Sequence, residues 1–152
     1  GWRKDRISHV AGFNSRLDEL QAAVLRSKLG TLDEDNNLRG KIASRYKAEL
    51  NTSSLIVPNI RPGTTHVYHQ YVIRSASRDS LKNFLQKREI QTLIHYPVPV
   101  HMQPAYKGRL PGSDKLPITE QIVGEILSLP VYPELSNENQ KLVIKSVLEF
   151  LS

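Results

Sequence analysis

The chain has 152 residues, a formal net charge of +6 and no cysteine. That length suits one domain with a real core, and the missing thiols exclude disulfides, thiolate metal sites and a cysteine nucleophile. No apolar run approaches the ~20 residues of a membrane span, and the opening GWRKDRISHV has neither the apolar stretch of a signal peptide nor an initiating methionine, so it reads as the start of a piece cut from a longer chain.

Residues 1–13 read as an extended lead-in. A helix follows in NSRLDELQAAVLRSKL, where Asn14 or Ser15 can cap and Ser15 with Asp18 resembles a capping box. Leu17, Leu20 and Val24 recur at helical spacing, and Leu25, Leu29 and Leu32 widen the apolar face. Gly30 is a weak point. Leu38, Ile42, Tyr46 and Leu50, four apart, give a second periodic run, so one long bent helix is a natural reading. NTSSLIVPNIRPGTTH carries turn residues, with a short strand at Leu55 to Val57. HVYHQYVIR alternates, setting Val67, His69, Tyr71 and Ile73 on one face of a strand. SRDSLKNFLQKREI reads as a helix with Leu81, Phe84 and Leu85 inward, and QTLIHY as a short strand. ITEQIVGEILS reads as a helix with Ile122, Val123 and Ile126 on one face. SLPVYP reads as a short strand or edge segment interrupted by Pro130, and SNENQKLVIKSVLEFL as a closing helix capped by Ser136, with Leu142, Val143, Val147 and Phe150 inward. The expected fold class is α+β, with helices over a sheet of about three strands. Leu20, Val24, Tyr71, Ile73, Phe84, Leu85, Ile126, Val147 and Phe150 are expected in the core.

The chemistry concentrates in IHYPVPVHMQPAY, residues 94–106. Three prolines exclude helix interior and central strand. The segment must be a stiff loop, and it carries His95, Tyr96, His101 and Tyr106. Loop histidines can serve a site, or simply brace the loop through backbone carbonyls. His9, His66 and His69 show no ligand spacing with the others, and no HExxH occurs, so no metal site is expected. No nucleophile elbow and no phosphate-cradling glycine loop is present. GFNSR, residues 12–16, falls where a helix begins. Free N–H groups and the helix dipole favour an anion there. Asn14 can add an amide donor and Arg16 a guanidinium fork, although a plain cap and a solvated arginine fit the same spacing. The basic residues are dispersed, apart from Arg3, Lys4 and Arg6. They read first as a solvated surface and second as an attraction for a phosphorylated small molecule.

Taken together, HVAGFNSRLDELQAAVLRSKL, HVYHQYVIR, IHYPVPVHMQPAY and SLPVYPEL resemble, in order, the C-terminal portion of the DegT/DnrJ/EryC1/StrS sugar aminotransferases. These are pyridoxal-phosphate enzymes of the type I aminotransferase fold. The resemblance implies that residues 1–152 form the small C-terminal domain, including the lead-in and long helix, and that the large cofactor-binding domain lies outside this chain. It implies amination of a nucleotide-linked keto-sugar, with glutamate as the amino donor. It further implies a cytoplasmic homodimer joined through the first helix region, with no nucleic-acid or membrane partner. Asn14 matches the asparagine that reaches the cofactor phosphate of the partner subunit, and Arg16 the arginine supporting that anionic region. His95, Tyr96 and His101 match the loop lining the sugar-nucleotide side of the pocket. None of the lysines stands in the family's glycine-rich Schiff-base context, so no catalytic residue is expected here and the chain alone is expected to be inactive. The alternatives are a non-catalytic small-molecule-binding module, a basic nucleic-acid-binding module, or part of a pyridoxal-phosphate-dependent sugar dehydratase of the same family.

Overall fold

The computed structural model describes residues 17–104, 106, 109 and 115–152. The lead-in, and Asn14 and Arg16 as phosphate contacts, lie outside the described residues; the cap expected at Asn14 or Ser15 falls instead at Asp18, because the first helix begins only at Glu19. The chain divides into two compact units, residues 1–33 and 34–152.

In the first unit the helical pattern forms α1, Glu19–Leu29, with Asp18 at its N-cap. It buries none of its residues. Leu20 and Val24 were expected in the core; they are 79% and 50% exposed. Periodicity reports an apolar face, not what covers it. The pattern does not run on as a single helix. Gly30 and Thr31 form a turn before α2, Leu32–Leu50. Gly30 keeps right-handed helical dihedrals, and an added Cβ would meet only Ser27 O at 3.8 Å. The interruption therefore reflects glycine's low helix propensity rather than a steric demand.

The second unit is built on the inward face of α2, where Ile42, Ala43, Tyr46 and Leu50 are buried. The four-residue spacing fixed that face correctly. After α2, Pro62 and Gly63 make a turn in which the Thr64 N–H donates to Arg61 O at 3.2 Å. Gly63 has φ +75°, a conformation that needs glycine at this turn position. Among the described residues the sheet has two antiparallel strands, β1 Tyr71–Arg74 and β2 Ile126–Leu129, in the register Tyr71↔Leu129 to Arg74↔Ile126. Two further segments touch it through single bridges, Ile56 to Arg74 and Leu93 to Ser128. The expected strands at Leu55 to Val57 and in QTLIHY are thus reduced to one residue pair each.

β1 is shorter than the alternation in HVYHQYVIR predicts. Tyr68 sits in the left-handed region at φ 49°, and its N–H donates to His66 Nδ1 at 2.8 Å. That reversal breaks the alternation. Val67 and His69 are exposed, while Tyr68, Tyr71 and Ile73 are buried. The helix expected over ITEQIVGEILS also ends early. α4 spans Pro117–Glu125, and the chain enters β2 directly at Ile126. A short apolar run is ambiguous between strand and helix. Here Gly124 weakens the helix while ILSL gains ladder bonds and burial on both faces. Pro130 follows β2 rather than interrupting it.

α3, Arg78–Gln86, and α5, Asn137–Leu151, complete the unit. Ser136 caps α5 as expected, its Oγ accepting the Asn139 N–H at 3.1 Å. Leu81, Leu85 and Val147 are fully buried. Phe84 and Phe150 are half-buried, with ring centroids 5.4 Å apart. Leu142 was expected inward on α5 but is 49% exposed. Arg78 is buried and donates through Nη1 to Val123 O and Ile126 O, tying α3 to the end of α4 and the start of β2.

Tyr46, Tyr68 and Tyr71 form a buried aromatic row. Burial, with Tyr68 nearby, pushes the Tyr71 phenol up from 10.0 to about 12, and burial pushes Tyr46 further in the same direction. Above about pH 10 the unfolded chain loses phenolic protons that the folded chain retains, so stability falls as pH rises. The Tyr71 hydroxyl has no partner among the described residues, so Tyr71→Phe is expected to change stability little at pH 7. It should also flatten the loss of stability between pH 10 and 12, followed by denaturant midpoints. An unchanged alkaline slope would place the phenol in water.

Candidate functional site

The proline loop is attached to the sheet at its start. The Leu93 N–H donates to Ser128 O at 3.3 Å, and the Ser128 N–H donates to Leu93 O at 2.8 Å. The Ser128 side chain extends the same contact, with its Oγ hydrogen-bonded to His95 Nδ1 at 2.9 Å. Tyr96 stands beside His95, edge to face at 5.7 Å, and is 71% exposed. Pro97, Pro99 and Pro104 restrict the backbone, and Val100–Met102 forms one 3-10 turn. The loop satisfies its own polar groups: the Met102 N–H donates to Pro99 O at 3.0 Å, and Gln103 Nε2 donates to Val98 O at 3.1 Å.

The 3-10 turn directs His101 inward, where it is buried. Its Nε2 lies 3.1 Å from Glu120 Oε1 on α4. An ionised carboxylate only accepts, so Nε2 carries the proton. Glu120 Oε1 also accepts the N–H of Leu116, the N-cap residue of α4, at 3.0 Å. The Leu116 N–H first, then the His101 ring, hold the Glu120 carboxyl below its ordinary value of 4.5.

A cavity of about 560 Å³ opens beside the start of the loop. Its polar wall includes His69, Gln70, Glu89, Gln91, His95 and Asn139, set against Leu93, Leu129, Leu135 and Val143. Of the three expected substrate residues, the structure places only His95 on this wall; Tyr96 and His101 are not among the lining residues. His69, expected on the same face of a strand as Tyr71 and Ile73, lies instead on the cavity wall ahead of β1. Ser128, Glu89 and Glu120 were not singled out by sequence. Ser128 had a visible signal, as the one polar residue in ILSL. Glu120 had a weaker one, near the expected start of a helix. Among the described residues, no group of three or more His, Asp or Glu is placed to hold a metal ion, and no helix is long and apolar enough to cross a membrane.

The chain belongs to the DegT/DnrJ/EryC1/StrS aminotransferase family, whose pattern matches residues 1–148. It is 43% identical over 150 residues to the erythromycin biosynthesis sensory transduction protein EryC1 of Saccharopolyspora erythraea, covering 97% of this chain and 40% of that protein. It is 42% identical over 149 residues to the dTDP-3-amino-3,4,6-trideoxy-alpha-D-glucose transaminase of Streptomyces venezuelae, covering 97% and 39%. The crystal structure of S. venezuelae DesV in complex with a ketimine intermediate superposes with a TM-score of 0.89 at 41% identity, over 97% of this chain and 40% of that one. The chain therefore spans about two-fifths of the length of the relatives it matches.

Proposed function

We propose that this chain is the small C-terminal domain of a pyridoxal-phosphate-dependent aminotransferase that aminates a nucleotide-linked keto-sugar. Glutamate is the amino donor, and the intact protein works as a cytoplasmic homodimer joined through the first helix region. The observation that carries this reading is the family membership across residues 1–148, combined with His95 of the family loop standing on the wall of a cavity. The exposed apolar residues of α1 support the dimer, because surface of this kind commonly marks an interface.

Pyridoxal phosphate, when bound, supplies the electron sink for amino transfer. The cavity itself does not suit the cofactor's phosphate: its lining has one carboxylate, Glu89, and no lysine or arginine. Amides, imidazoles and a carboxylate on an apolar wall suit sugar hydroxyls instead. The phosphate contacts are assigned, through the family motif, to Asn14 and Arg16 reaching the partner subunit's site. His95, Tyr96 and His101 shape the sugar-nucleotide side.

The test is turnover of the intact protein on nucleotide-linked keto-sugars with glutamate. Formation of the amino-sugar is expected, and its absence across uridine and thymidine diphosphate sugars would remove the reading. Asn14→Ala in the same protein should weaken cofactor retention about ten- to a hundredfold, since a hydrogen bond to a charged group is worth roughly 1.5–3 kcal/mol. Mixing Asn14→Ala subunits with subunits lacking the cofactor-bearing lysine should restore about one working site per heterodimer, because one site then carries both defects and the other neither. Heterodimers that form without regaining activity would remove the cross-subunit role of Asn14.

A further inference from the structure

We infer that Glu120 is a positioning residue: through His101 it fixes the orientation in which the 94–104 loop presents His95 and Tyr96. This rests on the aminotransferase reading for its substrate, but not for its geometry. Three prolines stiffen the loop internally, yet a stiff loop held at one end can still swing as a body. Its first attachment is Ser128 of β2, which pairs with Leu93 through the backbone and with His95 through Oγ. A second attachment is needed to set the angle. Among the described residues, the His101 ring hydrogen-bonds to Glu120 Oε1, and the His101 side chain is 6% exposed. It is therefore turned away from any ligand that enters from solvent, and its effect on substrate must pass through the loop it holds.

Glu120 is itself held. The Leu116 N–H and His101 Nε2 converge on one oxygen. The carboxylate sits in the first turn of α4, where the helix dipole favours negative charge. Lys115 adds positive charge nearby. The two attachment points also share one support, because α4 runs into β2 without an intervening loop. Glu120 near the start of α4 and Ser128 in β2 thus belong to one continuous segment, and the loop is clamped at both ends to the same piece of scaffold. Positions set in this way are tighter than positions left to a loop alone, and loss of such support degrades a site without removing any group that touches substrate.

The experiment compares Glu120→Ala and Glu120→Gln in the intact enzyme. Glutamine keeps an oxygen able to accept both N–H groups. Glu120→Ala is expected to raise KM for the nucleotide-sugar about tenfold, while the half-reaction with glutamate keeps its rate. Glu120→Gln should stay within about threefold of the parent. Hydrogen–deuterium exchange over residues 94–104 should accelerate in the alanine variant and not in the glutamine one. A loss shared equally by both half-reactions, or exchange unchanged over 94–104, overturns the inference. If the parent enzyme does not turn over any nucleotide keto-sugar, the substrate reading fails, and the exchange measurement still decides the role of Glu120.

Discussion

Tyr46→Ala is expected to destabilise the protein by about 3–5 kcal/mol, the range for deleting a buried aromatic side chain. Tyr46 is fully buried on the inner face of α2, its ring centroid 5.0 Å from that of Tyr71 on β1. Its hydroxyl donates to Pro130 O at 2.9 Å, a contact that joins α2 to the residue following β2. Alanine removes the packing on β1 and leaves the Pro130 carbonyl without its donor. Against a typical total of roughly 5–15 kcal/mol, that is a large share of the stability. Tyr46→Phe separates the two contributions. It keeps the ring and should cost only about 1 kcal/mol, the net worth of one hydrogen bond. Because Pro130 also lines the cavity, Tyr46→Phe should loosen that wall and show faster amide exchange in the residues following β2. A Tyr46→Ala denaturant midpoint close to that of the parent would mean that α2 does not anchor the core.

Where a sequence period and a burial pattern coincide, the fold was legible from the residues. Leu38, Ile42, Tyr46 and Leu50 recur every four residues and turn inward along α2, the first half-buried and the rest buried. The same holds for Leu81 and Leu85 on α3. α1 has a period without burial. Its apolar residues also recur at helical spacing, yet Leu20 is 79% exposed. The pattern carries the demand for an apolar partner without stating whether that partner belongs to the same chain. The sheet was misread for a different reason. ILSL lies inside a helical period, and only pairing with Tyr71 to Arg74, 52 or more residues earlier in the chain, makes it a strand. Pairing at such separation leaves no local trace. The Tyr68 reversal depends likewise on a side-chain acceptor, His66, in a segment that otherwise alternates.

The site was legible as a loop but not as a constellation. Proline spacing identified a rigid segment, and the family motif selected His95, Tyr96 and His101. The partners of those residues come from elsewhere: Ser128 from β2 and Glu120 from α4. Nothing in the sequence distinguishes Glu120 from the other helix-surface carboxylates except its place near the expected start of a helix. Nor does sequence separate a histidine that faces a cavity from one that braces a loop. Burial does: His95 reaches the cavity wall while His101 is turned inward.

Under the proposed function, His95→Ala in the intact protein is expected to lower turnover or affinity for the nucleotide-sugar about ten- to a hundredfold, with only a small change in stability. The stability side follows from the contacts. His95 is half-buried and, among the described residues, its side chain hydrogen-bonds to Ser128 Oγ, a bond worth roughly 0.5–1.5 kcal/mol net. The activity side follows from its place on the cavity wall, where the imidazole can meet a substrate hydroxyl. Ser128→Ala is the control that distinguishes contact from scaffold. It removes the same hydrogen bond and leaves the imidazole in place. If His95 touches substrate, Ser128→Ala should be distinctly milder than His95→Ala, and its residual defect should lie in the precision of the ring rather than in its absence. Measuring kcat, KM and thermal midpoint for both variants gives the answer directly. Equal losses in the two variants, rising and falling with the thermal midpoint, would make the pair a brace for the loop and move substrate recognition to other residues of the cavity.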